Sequence, residues 1–239
     1  MPPSKDHSSK FSHLPLTTSG PQDCAQVQRA YQQYSELQDD LAKNTFMTSM
    51  KTRMGCFSIG PFQLPLLRRK SNILELIQDH IKEMYPIIYT PTEGTTIQNF
   101  SRIFRRPEGC FLNIGDTDRV YHDLAQWGEP QDIDYIVVTD GEEILGIGDQ
   151  GMGGVLISIA KLVLTTLCAG IHANRTLAVG LDYGTDNEKL RNNDLYLGLK
   201  HPRVRGEKYE KFVETFVQSA RKLYPKAYIY FEDFGLPNE

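Results

Sequence analysis

Short strand-like runs alternate with helical runs from about residue 108 to the end of the sequence. The strand-like runs are rich in β-branched and aromatic residues and span residues 110–114, 135–139, 177–181 and 227–231, whereas the helical runs span residues 118–126, 154–168 and 208–223. Parallel strands need long crossover connections, which are usually helices. The alternation therefore predicts an α/β fold in which a parallel sheet carries helices on both faces.

The residues before this alternation favour a separate helical unit. Residues 25–107 are good helix formers with apolar side chains at roughly helical spacing, so we expect a helical first domain there. Residues 54–70 are broken by glycine and proline and are expected to form an irregular insert in that domain. Residues 1–24 are mostly polar and are expected to be a flexible tail. Residues 108–239 are then expected to form an incomplete parallel α/β domain.

The residues from Pro86 onward predict where one helix ends and the next begins. This proline is expected to end a preceding helix, and the apolar residues 87–89 are expected to form a short strand. Thr90 is placed to cap a helix over residues 91–104, with Glu93 three positions later completing a capping box.

The composition indicates which partners to expect and whether disulfides or zinc hold the fold together. The 239 residues carry a formal net charge of −4, which gives no general attraction to nucleic acid, so nucleic acid is not expected as a partner. The four cysteines are widely spaced and form no CxxC pair. Buried, reduced thiols are therefore expected, and a disulfide or zinc framework is not.

The most apolar stretch of the chain, residues 154–171, invites comparison with a membrane span. Lys161 lies in its middle and its length is moderate, so a core helix is expected and no membrane partner. Residues 1–20 lack the apolar core of a secretory signal and the arginines typical of a mitochondrial import peptide. The expected location is therefore cytoplasmic, with the mitochondrion as the alternative.

Lys161 is the strongest candidate for a catalytic residue on the local sequence alone. Its neighbours within residues 156–164 are almost all apolar and offer no partner for an ammonium group. Desolvation would lower its pKa, and a lysine tuned in this way can accept a proton near neutral pH. The structural alternative is that the amino group reaches solvent along the helix flank and carries no chemistry.

Further candidate residues lie at the ends of predicted elements. Tyr89 stands just before a helix, where a phenol can donate a proton, although a packing role with a satisfied hydroxyl is the alternative. Residues 146–154 are rich in glycine and are expected to serve tight turns and close backbone approach, with an anion cradle as the alternative. Glu232 and Asp233 end the last strand and supply two of the oxygen ligands that Mg²⁺ or Mn²⁺ requires. The charged residues 203–208 are expected to form a solvated face.

These features occur in an order that resembles the malic enzyme family. The matching stretches are IIYTPTEG (87–94), FRRPEG (104–109), IVVTDGEEILGIGDQG (136–151), ISIAKL (157–162), LDYGTDNEKL (181–190), LYLG (195–198) and FEDFG (231–235). They are distributed over most of residues 25–239, so the resemblance is specific. The GDQG and ISIAKL sequences are most similar to those of fungal and bacterial NAD-type members.

The resemblance implies a reaction and a set of roles. The family decarboxylates L-malate oxidatively to pyruvate and CO₂ with NAD(P) and Mg²⁺ or Mn²⁺. By resemblance, Tyr89 would be the general acid and Lys161 the base that takes the malate hydroxyl proton. Glu232 and Asp233 would be two of the metal carboxylates. The resemblance also implies that the chain forms a homo-oligomer or pairs with an intact malic enzyme.

Two departures from the family pattern limit these expectations. The family's third metal carboxylate, substrate asparagines and NAD-binding domain would follow Asp233, and no NAD-binding domain is seen, so the chain is expected to be truncated and inactive alone. Glu143 stands where the family has an arginine that grips malate, which makes substrate binding at this position doubtful. The alternatives are an incomplete gene model of an active NAD-type enzyme, or an interaction or regulatory protein that pairs with an intact homologue.

Overall fold

The computed structural model describes residues 21–52, 74, 76–103 and 108–235, in which helices precede a four-stranded sheet. The helices are α1 (Pro21–Glu36), α2 (Asp40–Thr52), α3 (Ile81–Ile88), α4 (Thr92–Gln98), α5 (Val120–Ala125), α6 (Val155–Ala169), α7 (Glu188–Arg191) and α8 (Glu207–Leu223). The strands are β1 (Cys110–Asn113), β2 (Tyr135–Thr139), β3 (Thr176–Asp182) and β4 (Tyr228–Phe231). The predicted α/β class with a helical amino-terminal part is confirmed. The expected insert at 54–70 and residues 1–20 of the expected tail lie outside the described residues.

The first helical stretch is divided into two helices. The Asp39 carboxylate accepts a hydrogen bond from the backbone N–H of Ala42 at 2.7 Å, which is an N-cap contact at the start of α2. The chain therefore leaves α1 before residue 37 and starts a new helix. Tyr34 and Met47, one from each helix, are buried in a shared core with Ile77.

Pro86 does not end its helix, contrary to the prediction. It lies inside α3, which continues to Ile88 and buries Met84, Ile87 and Ile88. A proline inside a helix loses one backbone hydrogen bond, and burial of apolar side chains on the same helix can offset that loss. Residues 87–89, predicted as a strand, are consequently helical up to Ile88.

The predicted capping box after Thr90 is also wrong. The helix that follows, α4, begins at Thr92 without any side-chain cap and ends at Gln98, before the predicted end at residue 104. Glu93 is buried and accepts a hydrogen bond from Asn44 Nδ2 at 3.2 Å. The Glu93 side chain therefore contacts α2, although the local pattern predicted that it would cap the backbone of its own helix.

The sheet is parallel throughout, as predicted, and has the order β1-β3-β2-β4. The two central strands, β2 and β3, are buried along almost their whole length. Continuous burial is typical of parallel strands that are covered on both faces. Since all strands run the same way, their carboxyl ends meet at one edge of the sheet.

Alternate residues of the central strands face different helices. Ile136 and Val138 of β2 belong to the main core, to which α5 contributes Leu124 and α8 contributes Phe212. Val137 packs in a separate cluster with Leu162 of α6. The helices therefore cover both faces of the sheet, and α6 alone of these three lies on the second face.

Helix α6 is the apolar segment that the sequence assigns to the core. Residues 151–169 are long and apolar enough, by length and composition, to cross a membrane, and 50% of the most apolar window is buried inside the fold. The helix packs against β2 and β3, where Leu162 and Ile159 share a cluster with Val137 and Ala178. It acts in this structure as a core helix.

The cysteines fit the expectation of buried thiols in one described case and not in the other. Cys110 on β1 is buried, whereas Cys168 near the end of α6 is exposed. Both are free thiols. For Cys24 and Cys56 the prediction falls outside the described side chains.

Candidate functional site

The predicted site residues meet near the carboxyl edge of the sheet. Glu232 follows β4 directly, and Lys161 extends from the middle of α6 to place its Nζ atom 3.0 Å from Glu232 Oε1. Tyr89, at the end of α3, has its ring centroid 5.7 Å from the same Nζ atom. Residues from a helix of the first part, a crossover helix and a strand end are thus brought together.

The environment of Lys161 differs from the expectation. Burial lowers its pKa, but the hydrogen bond and the negative charge of Glu232 outweigh burial, so the net pKa is raised. The Lys161 side chain is 25% exposed and that of Glu232 is 7% exposed. The predicted lowering of the Lys161 pKa is therefore wrong, because the local sequence shows no counter-ion and the fold supplies one from β4.

Glu232 has one engaged and one unengaged carboxylate oxygen. Burial raises its pKa, and Lys161 opposes that rise without cancelling it. Its Oε2 atom is buried and has no hydrogen-bond partner among the described residues. A buried carboxylate oxygen without a donor is unfavourable, so this atom is a natural acceptor for a proton or a cation.

Asp233 faces away from the lysine although it is the next residue. Its Oδ2 accepts a hydrogen bond from the Leu145 backbone N–H at 3.0 Å, and its carbonyl oxygen faces the Glu143 N–H at 3.4 Å. Asp233 and Leu145 both adopt positive φ angles, 49° and 46°. The adjacent carboxylates therefore contact different elements, α6 for Glu232 and the loop after β2 for Asp233.

The ligand set for a divalent cation is incomplete within the described residues. They contain no group of three or more His, Cys, Asp or Glu side chains that could hold a metal ion. Glu232 and Asp233 fit such an ion in part, since Glu232 Oε2 lacks a donor and carboxylate oxygens are the ligands that Mg²⁺ and Mn²⁺ prefer. A six-coordinate ion would need further oxygens.

Glu143, the residue in place of the expected arginine, is exposed in the loop between β2 and α6. Its backbone N–H donates to the Asp233 carbonyl oxygen, so its backbone lies next to that of Asp233. Its neighbour Glu142 is held by the exposed Arg205 and by the Tyr183 hydroxyl at 3.3 Å. Of the two loop glutamates, Glu142 is thus paired with a cation, and Glu143 is exposed to solvent.

Tyr230 belongs to the same cluster and is absent from the sequence-based candidates. Its ring centroid lies 6.0 Å from Lys161 Nζ, so the ammonium group has an aromatic ring on two sides, the other being that of Tyr89. The negative charge of Glu232 and partial burial raise the Tyr230 pKa. The strand period would have indicated it, because residues 230 and 232 point to the same side of β4.

The glycine-rich residues 146–154 serve close packing, as predicted. A Cβ atom on Gly151 would collide with the Tyr196 hydroxyl. The Gly151 N–H donates to the carboxylate of Asp149 at 2.9 Å, so a side chain of the loop itself is the anion that this N–H binds. Although residues 146–151 have GxGxxG spacing, a loop separates them from β2, unlike a dinucleotide-binding turn.

Arg203 is the main residue that the sequence does not reveal. The expected solvated face at 203–208 is wrong for this residue, because its side chain is 0% exposed and pairs with Asp149. Arg205, in contrast, is 49% exposed, as expected for such a face. No local spacing connects Arg203 to Asp149, which is contributed by a distant loop.

Comparisons with known proteins agree with these features. The family model for the malic enzyme, N-terminal domain, matches residues 67–239. The NAD-dependent malic enzyme, mitochondrial, of Saccharomyces cerevisiae is 49% identical over 213 residues, which cover 89% of this chain and 30% of that protein. The NAD-dependent malic enzyme of Schizosaccharomyces pombe is 45% identical over 216 residues, covering 89% and 36%. The NAD-dependent malic enzyme 3 of Bacillus subtilis is 45% identical over 214 residues, covering 89% and 35%. The chain thus spans about a third of the length of these relatives.

Proposed function

This chain belongs to the malic enzyme family, and on that premise we propose that its described residues form the substrate- and metal-binding side of an NAD-dependent decarboxylase of L-malate. The observation that carries the proposal is the 3.0 Å pair between Lys161 Nζ and Glu232 Oε1 beside the ring of Tyr89. A partly buried ion pair with perturbed pKa values, next to an aromatic hydroxyl group, is a candidate for a functional site.

Lys161 and Tyr89 are proposed to handle the protons of the reaction. Lys161 accepts the proton of the malate hydroxyl group, and Tyr89 donates a proton to the carbon that loses CO₂. In the present arrangement Lys161 is a charged ammonium group, since Glu232 raises its pKa. It must give up this pairing and its own proton before it can act as a base.

Glu232 and Asp233 are proposed to hold the divalent cation. Mg²⁺ or Mn²⁺, when bound, supplies Lewis-acid polarisation of the substrate oxygens. The unpartnered Oε2 atom of Glu232 supports this assignment, because a cation would satisfy a buried oxygen that no described donor reaches. Substrate oxygens and water would complete the coordination.

Glu143 is proposed to weaken the binding of malate. Two like unit charges about 4 Å apart repel each other by roughly 4 kcal/mol at an effective dielectric constant of about 20, and solvent screening reduces this repulsion for an exposed group such as Glu143. Glu143 lies beside Asp233, so a dianion that enters next to the cation would meet this charge. A substrate with less negative charge would suffer less from it.

The metal assignment can be tested on the 239-residue chain itself. We expect Mn²⁺ binding, followed by the loss of the paramagnetic resonance signal of free Mn²⁺, to weaken about tenfold or more in Glu232→Gln, which loses one ligand charge. Glu214→Gln on the exposed face of α8 is the matched control and should bind like the unchanged chain. Equal affinity in all three proteins would refute the metal site.

The substrate assignment has a separate test. We expect Glu143→Arg to bind L-malate at least about tenfold more tightly in the presence of Mn²⁺, since a repulsion becomes an attraction. Glu143→Gln removes the charge alone and should fall between the two. Calorimetric titration measures all three, and an unchanged or weaker affinity in Glu143→Arg would contradict the proposed place of the substrate.

Association with other chains and cellular location are the remaining proposals. β4 is an edge strand with Tyr228 and Phe231 exposed, which supports pairing with a second copy or with an intact malic enzyme. Light scattering on the purified chain would show whether it is a monomer.

The Saccharomyces cerevisiae relative is named as mitochondrial. A cytoplasmic location for this chain, with the mitochondrion as the alternative, is a proposal that cell fractionation decides.

A further inference from the structure

Asp149 accepts an unusually complete set of hydrogen bonds for a loop residue. Arg203 donates to it from Nε and from Nη2, both at 2.7 Å. The Thr185 hydroxyl donates at 2.8 Å, and the backbone N–H groups of Asp186 and Gly151 donate at 2.7 and 2.9 Å. A bidentate arginine with three further donors fixes both oxygens of the carboxylate in position.

Arg203 holds a second point on the same loop. Residues 140–150 lie between β2 and the 3-10 helix Gly151–Gly154 that precedes α6, and we refer to them as the β2–α6 loop. Arg203 Nη1 donates to the carbonyl oxygen of Asp140 at 2.9 Å, at the other end of this loop from Asp149. The Gln150 N–H donates to the Gly141 carbonyl oxygen at 2.9 Å and closes the neck between the two ends. One buried guanidinium group thus fixes both ends of the loop.

Between these fixed ends, the β2–α6 loop carries the groups that contact Asp233. The Leu145 N–H donates to Asp233 Oδ2. Leu145 adopts a φ of 46°, which non-glycine residues rarely do. Such a conformation persists when the surrounding structure enforces it. Arg203 contacts both ends of the loop, and the Tyr209 hydroxyl at Asp140 and the Asn187 amide at Asp149 each add one hydrogen bond there.

We infer that Arg203 and Asp149 form a clamp that positions the β2–α6 loop and, through the Leu145 N–H, sets the orientation of the Asp233 carboxylate for a divalent cation. Neither residue is one of the proposed cation ligands, so both are positioning residues. The role toward the cation rests on the proposed function, whereas the role toward Leu145 rests on the contacts alone. Residues that hydrogen-bond to a metal ligand or to the loop that holds it usually affect metal affinity, even though the ligands themselves stay the same.

The first test replaces Arg203 with lysine in the 239-residue chain. Lysine keeps the positive charge but lacks the planar fork of arginine, so it cannot reproduce the bidentate pair with Asp149 together with the bond to Asp140. We expect Mn²⁺ affinity to fall about tenfold, as outer-contact substitutions commonly do. Hydrogen exchange of a peptide from the β2–α6 loop should become faster by about the same factor, because the loop opens more often.

The matched control is Arg175→Lys. Arg175 pairs with Asp134 at the opposite edge of the sheet, where both side chains are nearly half exposed. It should leave Mn²⁺ affinity and exchange of the β2–α6 loop within about twofold of the unchanged chain, as expected for a surface pair. Thermal unfolding, followed by circular dichroism, shows whether each variant is folded at the temperature of the binding experiment.

A second variant covers the case in which Arg203→Lys does not fold. Thr185→Val removes one donor to Asp149 and preserves shape and charge, so about a threefold effect on both measurements is expected. If the folded variants match Arg175→Lys in affinity and loop exchange, the clamp is refuted even when Glu232→Gln confirms the metal site. If Mn²⁺ binding does not depend on Glu232, the metal site fails. Faster loop exchange in Arg203→Lys then supports the clamp on the loop, and unchanged exchange refutes it.

Discussion

Replacing Lys161 with methionine tests the electrostatics of the candidate site, because it removes the ammonium group and keeps most of the side-chain volume. Glu232, only 7% exposed, would then keep a buried charge without a partner for Oε1, and Oε2 already lacks one among the described residues. Removing one partner of a buried ion pair typically costs about 3–5 kcal/mol, and the partial exposure of Lys161 places the expected loss near the lower end, about 3 kcal/mol.

The opposite substitution, Glu232→Gln, should cost less. The Lys161 side chain is 25% exposed, so its amino group can turn toward water when the carboxylate is removed. The glutamine carbonyl oxygen can still accept a hydrogen bond from it, and a loss of about 1 kcal/mol is expected. The double variant should lose about 1–2 kcal/mol less than the sum of the single variants, since the unpaired charge is gone.

The effect of Lys161→Met should also depend on pH. Burial raises the pKa of Glu232, and Lys161 partly opposes that rise, so the substitution raises the pKa further in the folded state. Between the pKa of the unfolded chain and this raised value, the folded state binds more protons than the unfolded one. Stability of the variant should therefore increase as the pH falls through that window. The loss should be smaller at about pH 5 than at about pH 7.5.

Urea unfolding of the three variants at both pH values measures these differences. Lys226→Met, on an exposed lysine, is the control and should change stability by less than about 0.5 kcal/mol. The reasoning is refuted if Glu232→Gln costs as much as Lys161→Met. It is also refuted if the cost of Lys161→Met does not change with pH, because Glu232 would then not carry the unpaired charge.

Two other predictions concern the backbone and the core. Gly141→Ala should lower the free energy of unfolding by more than about 3 kcal/mol, because its Cβ would collide with the Gly151 carbonyl oxygen, whereas Gly146→Ala has open space and should cost about 1–2 kcal/mol for its positive φ alone. Leu112→Ala, at 1% exposure, should cost about 2–5 kcal/mol, whereas Leu197→Ala, at 66% exposure, should stay within about 0.5 kcal/mol. Urea unfolding of each pair decides, and equal losses within a pair would contradict the respective argument.

Much of the second part of the fold could be predicted from the sequence. The run at residues 135–139 coincides with β2, and α5, α6, α8 and the other strands lie within one or two residues of the predicted bounds, whereas the short α7 was not predicted. Fully buried parallel strands are continuous apolar runs, and the helices between them repeat at a different period, so each element is marked by its own residues. Local pattern was less reliable around Pro86 and Glu93, where packing against neighbouring helices overrides the local preference.

The sequence by itself determined the fold class and, through motif resemblance, the malic enzyme family, because periodicity and motifs are properties of consecutive residues. Only the tertiary structure decided the partners of charged groups. It pairs Lys161 with Glu232 and reverses the expected direction of the lysine pKa. It also buries Arg203 against Asp149, where the sequence indicated a solvated face. Electrostatic interactions depend on distance in space, and the chain order of these residues carries no information about that distance.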